Sequence, residues 1–165
     1  RQMCIRDSWS PDAEEVESYV EEMGSEMGFP VSGADEARLA VEGADLIVTV
    51  TPAREPILRL DWLREHATIV AVGSDGPEKQ ELEEGILGAA GKVVVDSLAQ
   101  CLTLGETHHA VSRGVLDPKA IHGELGGVLL GDCPGREGGE LIVCDLTGVG
   151  AQDAALAGVV WSRLR

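Results

Sequence analysis

Aromatic side chains are nearly absent from this sequence: three tryptophans, one tyrosine and one phenylalanine among 165 residues. A core must therefore come from Val, Leu, Ile and Ala, the usual filling of a parallel sheet covered by helices on both faces. No apolar run approaches the roughly 20 residues that a membrane helix needs. The apolar fraction of 44% in turn excludes a disordered chain. Lysine is scarce too, with three against ten arginines, and the formal net charge is −16. Nucleic acid and anionic membrane both bind cationic patches, so neither is expected as a partner. A solvated acidic face accounts for the charge, and adaptation to high salt is an alternative cause. The four cysteines, Cys4, Cys101, Cys133 and Cys144, form no C-x-x-C pair and no metal-ligand spacing. They read as reduced thiols of a cytosolic protein, which predicts a cytoplasmic location. His108 and His109 have no third ligand at helical spacing and read as an exposed turn or helix end, so no metal is expected. No secretory signal is recognisable.

A further absence bears on function. There is no G-x-G-x-x-G, the turn that grips phosphate in dinucleotide folds. Gly85 to Gly88 fall inside a predicted helix, and Gly123-Glu124-Leu125-Gly126-Gly127 follows no predicted strand. Either the chain is no dinucleotide domain, or the first strand and its turn lie upstream of residue 1. Residues 1–8 fit no pattern that follows and read as a non-native leader, of the kind a translated sequencing adapter would leave. On that reading the native chain is cut just before Trp9 and begins at the end of a second strand.

What is present follows an alternating order. Pro11 to Met27 has helical spacing of Val16, Tyr19, Val20, Met23 and Met27, with Ser10-Pro11-Asp12 as a start signal and Gly28 as a stop. Phe29 to Val31 is a short strand candidate, and a small helix is expected over Ala34 to Val41. The β-branched run Ala44 to Thr51 predicts a central strand that Pro52 ends. A helical turn over Leu60 to Glu65, a strand over Ala67 to Val72, a helix over Glu78 to Ala90 and a strand over Lys92 to Asp96 follow. This βαβ order predicts a right-handed parallel sheet. Helices are then expected over Leu98 to Leu104, Glu106 to Arg113 and Ile121 to Leu130. A loop over Cys133 to Gly139, a strand over Glu140 to Leu146 and a closing helix over Ala151 to Leu164 complete the chain.

Ligands of open α/β sheets bind outside the carboxyl ends of the strands. Three such ends carry polar residues. Thr49-Val50-Thr51-Pro52 offers hydroxyls to a cofactor, or simply good strand formers. Val72-Gly73-Ser74-Asp75 offers a glycine that permits close approach and an acid or base, or else an aspartate that caps the next helix. Asp145-Leu146-Thr147-Gly148 carries the same two readings.

Taken in order, these residues resemble the ornithine cyclodeaminase and mu-crystallin family, from about Trp9 to the C-terminus. The resemblance is carried by Gly43 to Thr51, by Val72-Gly73-Ser74-Asp75-Gly76-Pro77-Glu78-Lys79-Gln80-Glu81-Leu82, and by Val94 to Ser97 with Gly105-Glu106. Glu124-Leu125-Gly126 with Gly131 and Pro134-Gly135-Arg136, and then Asp145 to Asp153, continue it. It implies a Rossmann domain that carries NAD, or NADP, beside a second domain that binds substrate and forms a homodimer. It also implies that Asp75 is the general acid/base at the substrate nitrogen. Ala71, Val72, Gly73 and Ser74 would line the nicotinamide, with Thr49 or Thr51 touching the cofactor nearby. Lys79, one helical turn beyond Asp75, would contact the cofactor and support the carboxylate. Leu146 and Thr147 would close over nicotinamide and substrate, Thr147 on the substrate side. Leu146 stands where many members have serine, which removes a hydroxyl contact. Ser10-Pro11-Asp12 lacks the arginine of a 2′-phosphate reader, which favours NAD with Asp12 or the Ser10 hydroxyl near the ribose.

The expected fold class is therefore α/β, a partial Rossmann-type parallel sheet flanked by helices with its first βα unit missing. Residues 9–135 are expected to form the partial NAD(P)-binding domain, and residues 136–165 to return towards a substrate and dimerisation domain. The implied function is an ornithine cyclodeaminase-like enzyme acting on a small L-amino acid or cyclic imine. This piece alone is expected to bind cofactor poorly and to be inactive. Alternatives within the resemblance are an amino-acid dehydrogenase, a ketimine reductase, or a non-enzymatic mu-crystallin-like NADP- or hormone-binding protein.

Overall fold

The computed structural model describes residues 6–164. Of the eight residues read as a leader, the first five lie outside that range. Arg6–Ser8 forms β1, which pairs in parallel with β2, Val31–Gly33, through Arg6↔Val31 and Ser8↔Gly33. Those last leader residues thus follow the pattern of a sheet after all. Between the two strands runs α1, Ala13–Met27, capped by the Asp12 carboxylate on the Glu14 N–H and closed at Gly28 with φ 68°.

After α2, Ala37–Val41, the main sheet begins with β3, Leu46–Thr49, and continues in β4, Thr68–Ala71. Next come α3, Glu84–Ala89, then β5, Lys92–Val95, and the pair α4, Leu98–Cys101, and α5, Gly105–Ser112. The chain finishes with β6, Gly123–Glu124, α6, Leu125–Leu130, β7, Ile142–Asp145, and α7, Gly150–Arg163. The sheet order is β3-β4-β7-β5-β6, with all pairs parallel. The α/β class with a parallel sheet flanked by helices is the one expected.

Three differences from the sequence reading have clear causes. The segment Glu78 to Glu83, expected as the first half of a helix, is turn and extended chain. Its backbone groups are drawn to distant partners: the Gln80 N–H donates to the Ala53 carbonyl, the Glu83 N–H to the Leu58 carbonyl, and Leu82 bridges to Leu58. Tertiary bonds of this kind outcompete the i−4 ladder. Ile121 to Leu130 is split by β6, because Gly123 and Glu124 add to the edge of β5. Finally β7, expected within a C-terminal unit from residue 136, is the central strand of the same sheet and pairs with both β4 and β5.

The register aligns Ile47, Ile69, Val143 and Val93 in one row, all 5% exposed or less, against Ile86 and Leu87 of α3. Burying each such side chain contributes about 1.5–3 kcal/mol. The opposite face is covered unevenly. In the row Val48, Val70, Cys144, Val94, exposure runs from 58% at Val48 to 5% at Val94. The sheet is therefore covered on both faces only towards β5, and β3 also has no strand on its outer edge among the described residues.

Candidate active site

Because every strand is parallel, the carboxyl ends of β3, β4, β7 and β5 lie side by side on one rim. The ladder runs slightly past the strands: the Val72 N–H donates to the Thr49 carbonyl at 2.8 Å and the Leu146 N–H to the Ala71 carbonyl at 2.8 Å. The three polar strand ends read from the sequence are thus neighbours in space.

Asp75 stands exposed just beyond β4, and the Lys79 ammonium donates to its Oδ1 at 2.5 Å. The pair is closed by a turn, not by a helix, since the Lys79 N–H donates to the Gly76 carbonyl. Two further groups hold this turn: the Ser74 hydroxyl donates to the Lys79 carbonyl at 2.6 Å, and His109 Nε2 lies 2.8 Å from the same oxygen. A hydrogen bond from Lys79 holds the Asp75 carboxyl below its ordinary value, so it is ionised at neutral pH. Lys79 contacts Oδ1 of this exposed carboxylate.

The remaining expected residues divide by orientation. Val72 is 39% exposed and Leu146 half-buried, giving an apolar floor beside the Asp75 turn. Ala71 and Ser74 are buried behind them. Thr49 points to the covered face of the sheet, and its hydroxyl has no partner among the described residues. The Thr51 hydroxyl is engaged by a buried carboxylate, Glu81, at 2.8 Å. Thr147 is also engaged: its hydroxyl donates to Asp96 at 3.0 Å and accepts from Gln100 at 2.9 Å. Asp96 takes the Gly148 N–H as well, so the turn after β7 is tied to the end of β5. Ser10 and Asp12 lie at the start of α1, where the Asp12 carboxylate caps the helix and the Ser10 hydroxyl donates to Glu15.

Gly73 earns its place for a different reason from the one read in the sequence. A Cβ there would lie 2.2 Å from the Thr51 carbonyl oxygen and 2.6 Å from the Glu81 carboxylate. The close approach is made by the protein's own interior. Three carboxylates are buried: sequence reasoning passed over Glu81 and Glu106 and read Asp145 as part of a polar strand end. Glu81, Glu106 and Asp145 are 0%, 1% and 1% exposed. Glu106 accepts the Glu81 and Leu82 N–H groups at 2.7 and 3.1 Å, and Asp145 accepts the Thr107 N–H at 2.8 Å. Burial outweighs those bonds and pushes Glu106 up to about 8, and it raises Asp145 as well. Cys101, buried beneath Asp96 and Thr147, is raised to about 12 by burial and is an inert thiol. His108 and His109 are half-buried, and no group of three metal-ligating side chains gathers among the described residues.

A parallel sheet with an acid, a cation and apolar side chains at adjacent strand ends defines a Rossmann-type α/β domain with its ligand rim at the carboxyl ends. Within that class the chain belongs to the ornithine cyclodeaminase/mu-crystallin family, whose model matches residues 7–165. It is 40% identical over 156 residues to an uncharacterized cyclodeaminase of Sinorhizobium fredii, covering 94% of this chain and 47% of that protein. Among solved structures it resembles an archaeal alanine dehydrogenase dimer with bound NAD, with TM-score 0.89, 36% identity, and coverage of 96% of this chain and 49% of that one. It also resembles Thermococcus litoralis Δ1-pyrroline-2-carboxylate reductase in complex with NADH and L-proline, with TM-score 0.91, 28% identity, and coverage of 96% and 49%. The chain spans about half the length of the relatives it matches.

Proposed function

We propose that this chain supplies the nicotinamide-facing and proton-handling part of an NAD-dependent enzyme that interconverts an L-α-amino acid and its imine. The observation that carries this reading is the exposed Asp75–Lys79 pair beside Val72 and Leu146 at the carboxyl rim. These residues fit the nicotinamide half of NAD: an apolar floor for the ring and a fixed acid–base pair at its edge. Bound NAD supplies the acceptor for the hydride that leaves the substrate α-carbon.

Asp75, ionised at neutral pH and fixed by Lys79, takes a proton from the substrate ammonium. The nitrogen lone pair then forms the C=N bond as the hydride departs, and in the reverse direction Asp75 returns the proton. Lys79 holds the carboxylate in place and keeps it charged until the proton arrives. Hydride transfer needs the α-carbon and the ring about 3–3.5 Å apart, which is the task of the shaped rim. Where the substrate bears a side-chain amine, that amine would add to the imine carbon, ammonia would leave, and the same hydride would return to the resulting cyclic imine to give a cyclic imino acid, which is the cyclodeaminase course.

The glycine-rich turn for the pyrophosphate is not in this sequence. The 165 residues alone would then hold the cofactor weakly and turn nothing over.

The test uses the protein expressed from its complete gene. Asp75→Asn is expected to lower kcat by about 10²–10⁴-fold while leaving NADH affinity, read by fluorescence, close to wild type. Equal loss of both would make Asp75 a structural residue and sink the assignment.

A further inference from the structure

The geometry points to Glu81 as a positioning residue that fixes the end of β3 to the end of β4 and so sets where Asp75 stands; this rests on the enzymatic reading above. A single carboxylate reaches both strand ends. Its Oε1 accepts the Thr51 N–H at 2.5 Å and the Thr51 hydroxyl at 2.8 Å, and its Oε2 accepts the Gly73 N–H at 3.0 Å. Neither N–H has a strand partner there, because the ladder between β3 and β4 ends at the bond from the Val72 N–H to the Thr49 carbonyl. Without the carboxylate, the two strand ends would leave these donors unpaired and would be free to splay.

The clamp is itself anchored. Glu106, on α5, holds the Glu81 N–H at 2.7 Å, and the Glu81 carbonyl accepts from Ile57 and Leu58 at 2.8 and 3.0 Å. Glu81 is fully buried, and the partners of its carboxylate among the described residues are Thr51 and Gly73. Gly73 completes the fit, because any Cβ would collide with the Glu81 carboxylate at 2.6 Å. One residue, Ser74, separates Gly73 from Asp75, and the Asp75 N–H donates back to the Gly73 carbonyl at 3.1 Å. A shift at Gly73 is therefore passed directly to Asp75.

The substitution Glu81→Gln keeps the size of the side chain but turns an NH₂ towards one of two N–H partners, so one bond becomes a donor–donor contact. In the protein from its complete gene, assayed well below its melting temperature, it should lower kcat at saturating NAD and substrate on the order of 10²-fold. The KM for the amino acid should stay within about twofold. Thr51→Val keeps the N–H bond to Glu81, removes the hydroxyl with its bonds to Glu81 and from the Ala53 N–H, and should lose less. The double variant should be no worse than Glu81→Gln alone, because both act through one contact. Wild-type kcat per folded molecule in Glu81→Gln, with only a lower melting temperature, would overturn the positioning role.

Amide hydrogen exchange at Thr51 and Gly73 reads the clamp without any turnover. Both amides should be protected in wild type and exchange faster in Glu81→Gln. Unprotected wild-type amides would overturn the inference on its own terms. Protected amides in a wild-type protein with no turnover on any α-amino acid or imine would instead remove the enzymatic reading and the positioning role with it.

Discussion

Glu81, Glu106 and Asp145 are buried acids held by backbone N–H groups and hydroxyls, with no ion pair to a cation among the described residues. This gives stability a definite pH dependence. Folded Glu106 keeps its proton up to about pH 8, whereas its ordinary value is 4.5. Between those values the folded state binds more protons than the unfolded chain, so this contribution is fully present below 4.5 and is lost as pH rises through about 8. Asp145 is raised by the same cause and adds in the same direction. Glu140, held down to about 2 by backbone N–H bonds, acts oppositely and costs stability only as pH falls below 4.5. The melting temperature should therefore be higher near about pH 5.5 than near about pH 8.5. Relief of repulsion within a chain of net charge −16 has the same sign. The Glu106→Gln variant separates the two, since it should flatten the slope if Glu106 is its source. None of these acids was legible as buried, because their partners are backbone groups as far as 38 residues away in the chain.

Elements whose signal is local could be read from the sequence, and those fixed by distant partners could not. The runs Ile47 to Thr49, Ile69 to Ala71 and Val93 to Val95 declare strands by β-branching and burial. Asp12 and Gly28 mark the ends of α1. Replacing Asp12 by Ala should cost about 1 kcal/mol, with faster hydrogen exchange confined to α1 and β2 and an unchanged main sheet. Spread of the loss into β4 or β7 would contradict that independence. By contrast, Glu78 to Glu83 carries Leu82 at helical spacing from Ile86, but Ala53, Leu58 and Glu106 capture its backbone. The two-residue β6 carries too little pattern to be seen, and it exists only because β5 offers an edge. The candidate site follows the same division. Asp75 and Lys79 were visible in one short run, whereas the engagement of Thr51 by Glu81 and of Thr147 by Asp96 requires the fold.

At the scale of the whole molecule, the surface is uneven in polarity. The exposed face of β3 shows Leu46, Val48 and Val50, and α7 buries none of its residues while presenting Leu156 and Trp161 at 65% and 60% exposure. Between these open regions the sheet is tied together by one late strand. β3 and β4 form one half, β5 and β6 the other, and among the described residues only β7 pairs with both. A chain ending at Gly139 should accordingly show no cooperative thermal transition by circular dichroism; a sharp transition would mean that the halves cohere without β7. Synthesis adds a further consequence. A ribosome delivers β4 and β5 well before β7, so during translation both expose an unpaired inner edge. Such edges are templates for pairing with another chain. The nascent protein is thus most vulnerable to aggregation while residues 96–141 are being made, and its safe folding depends on how quickly the ribosome reaches Asp145.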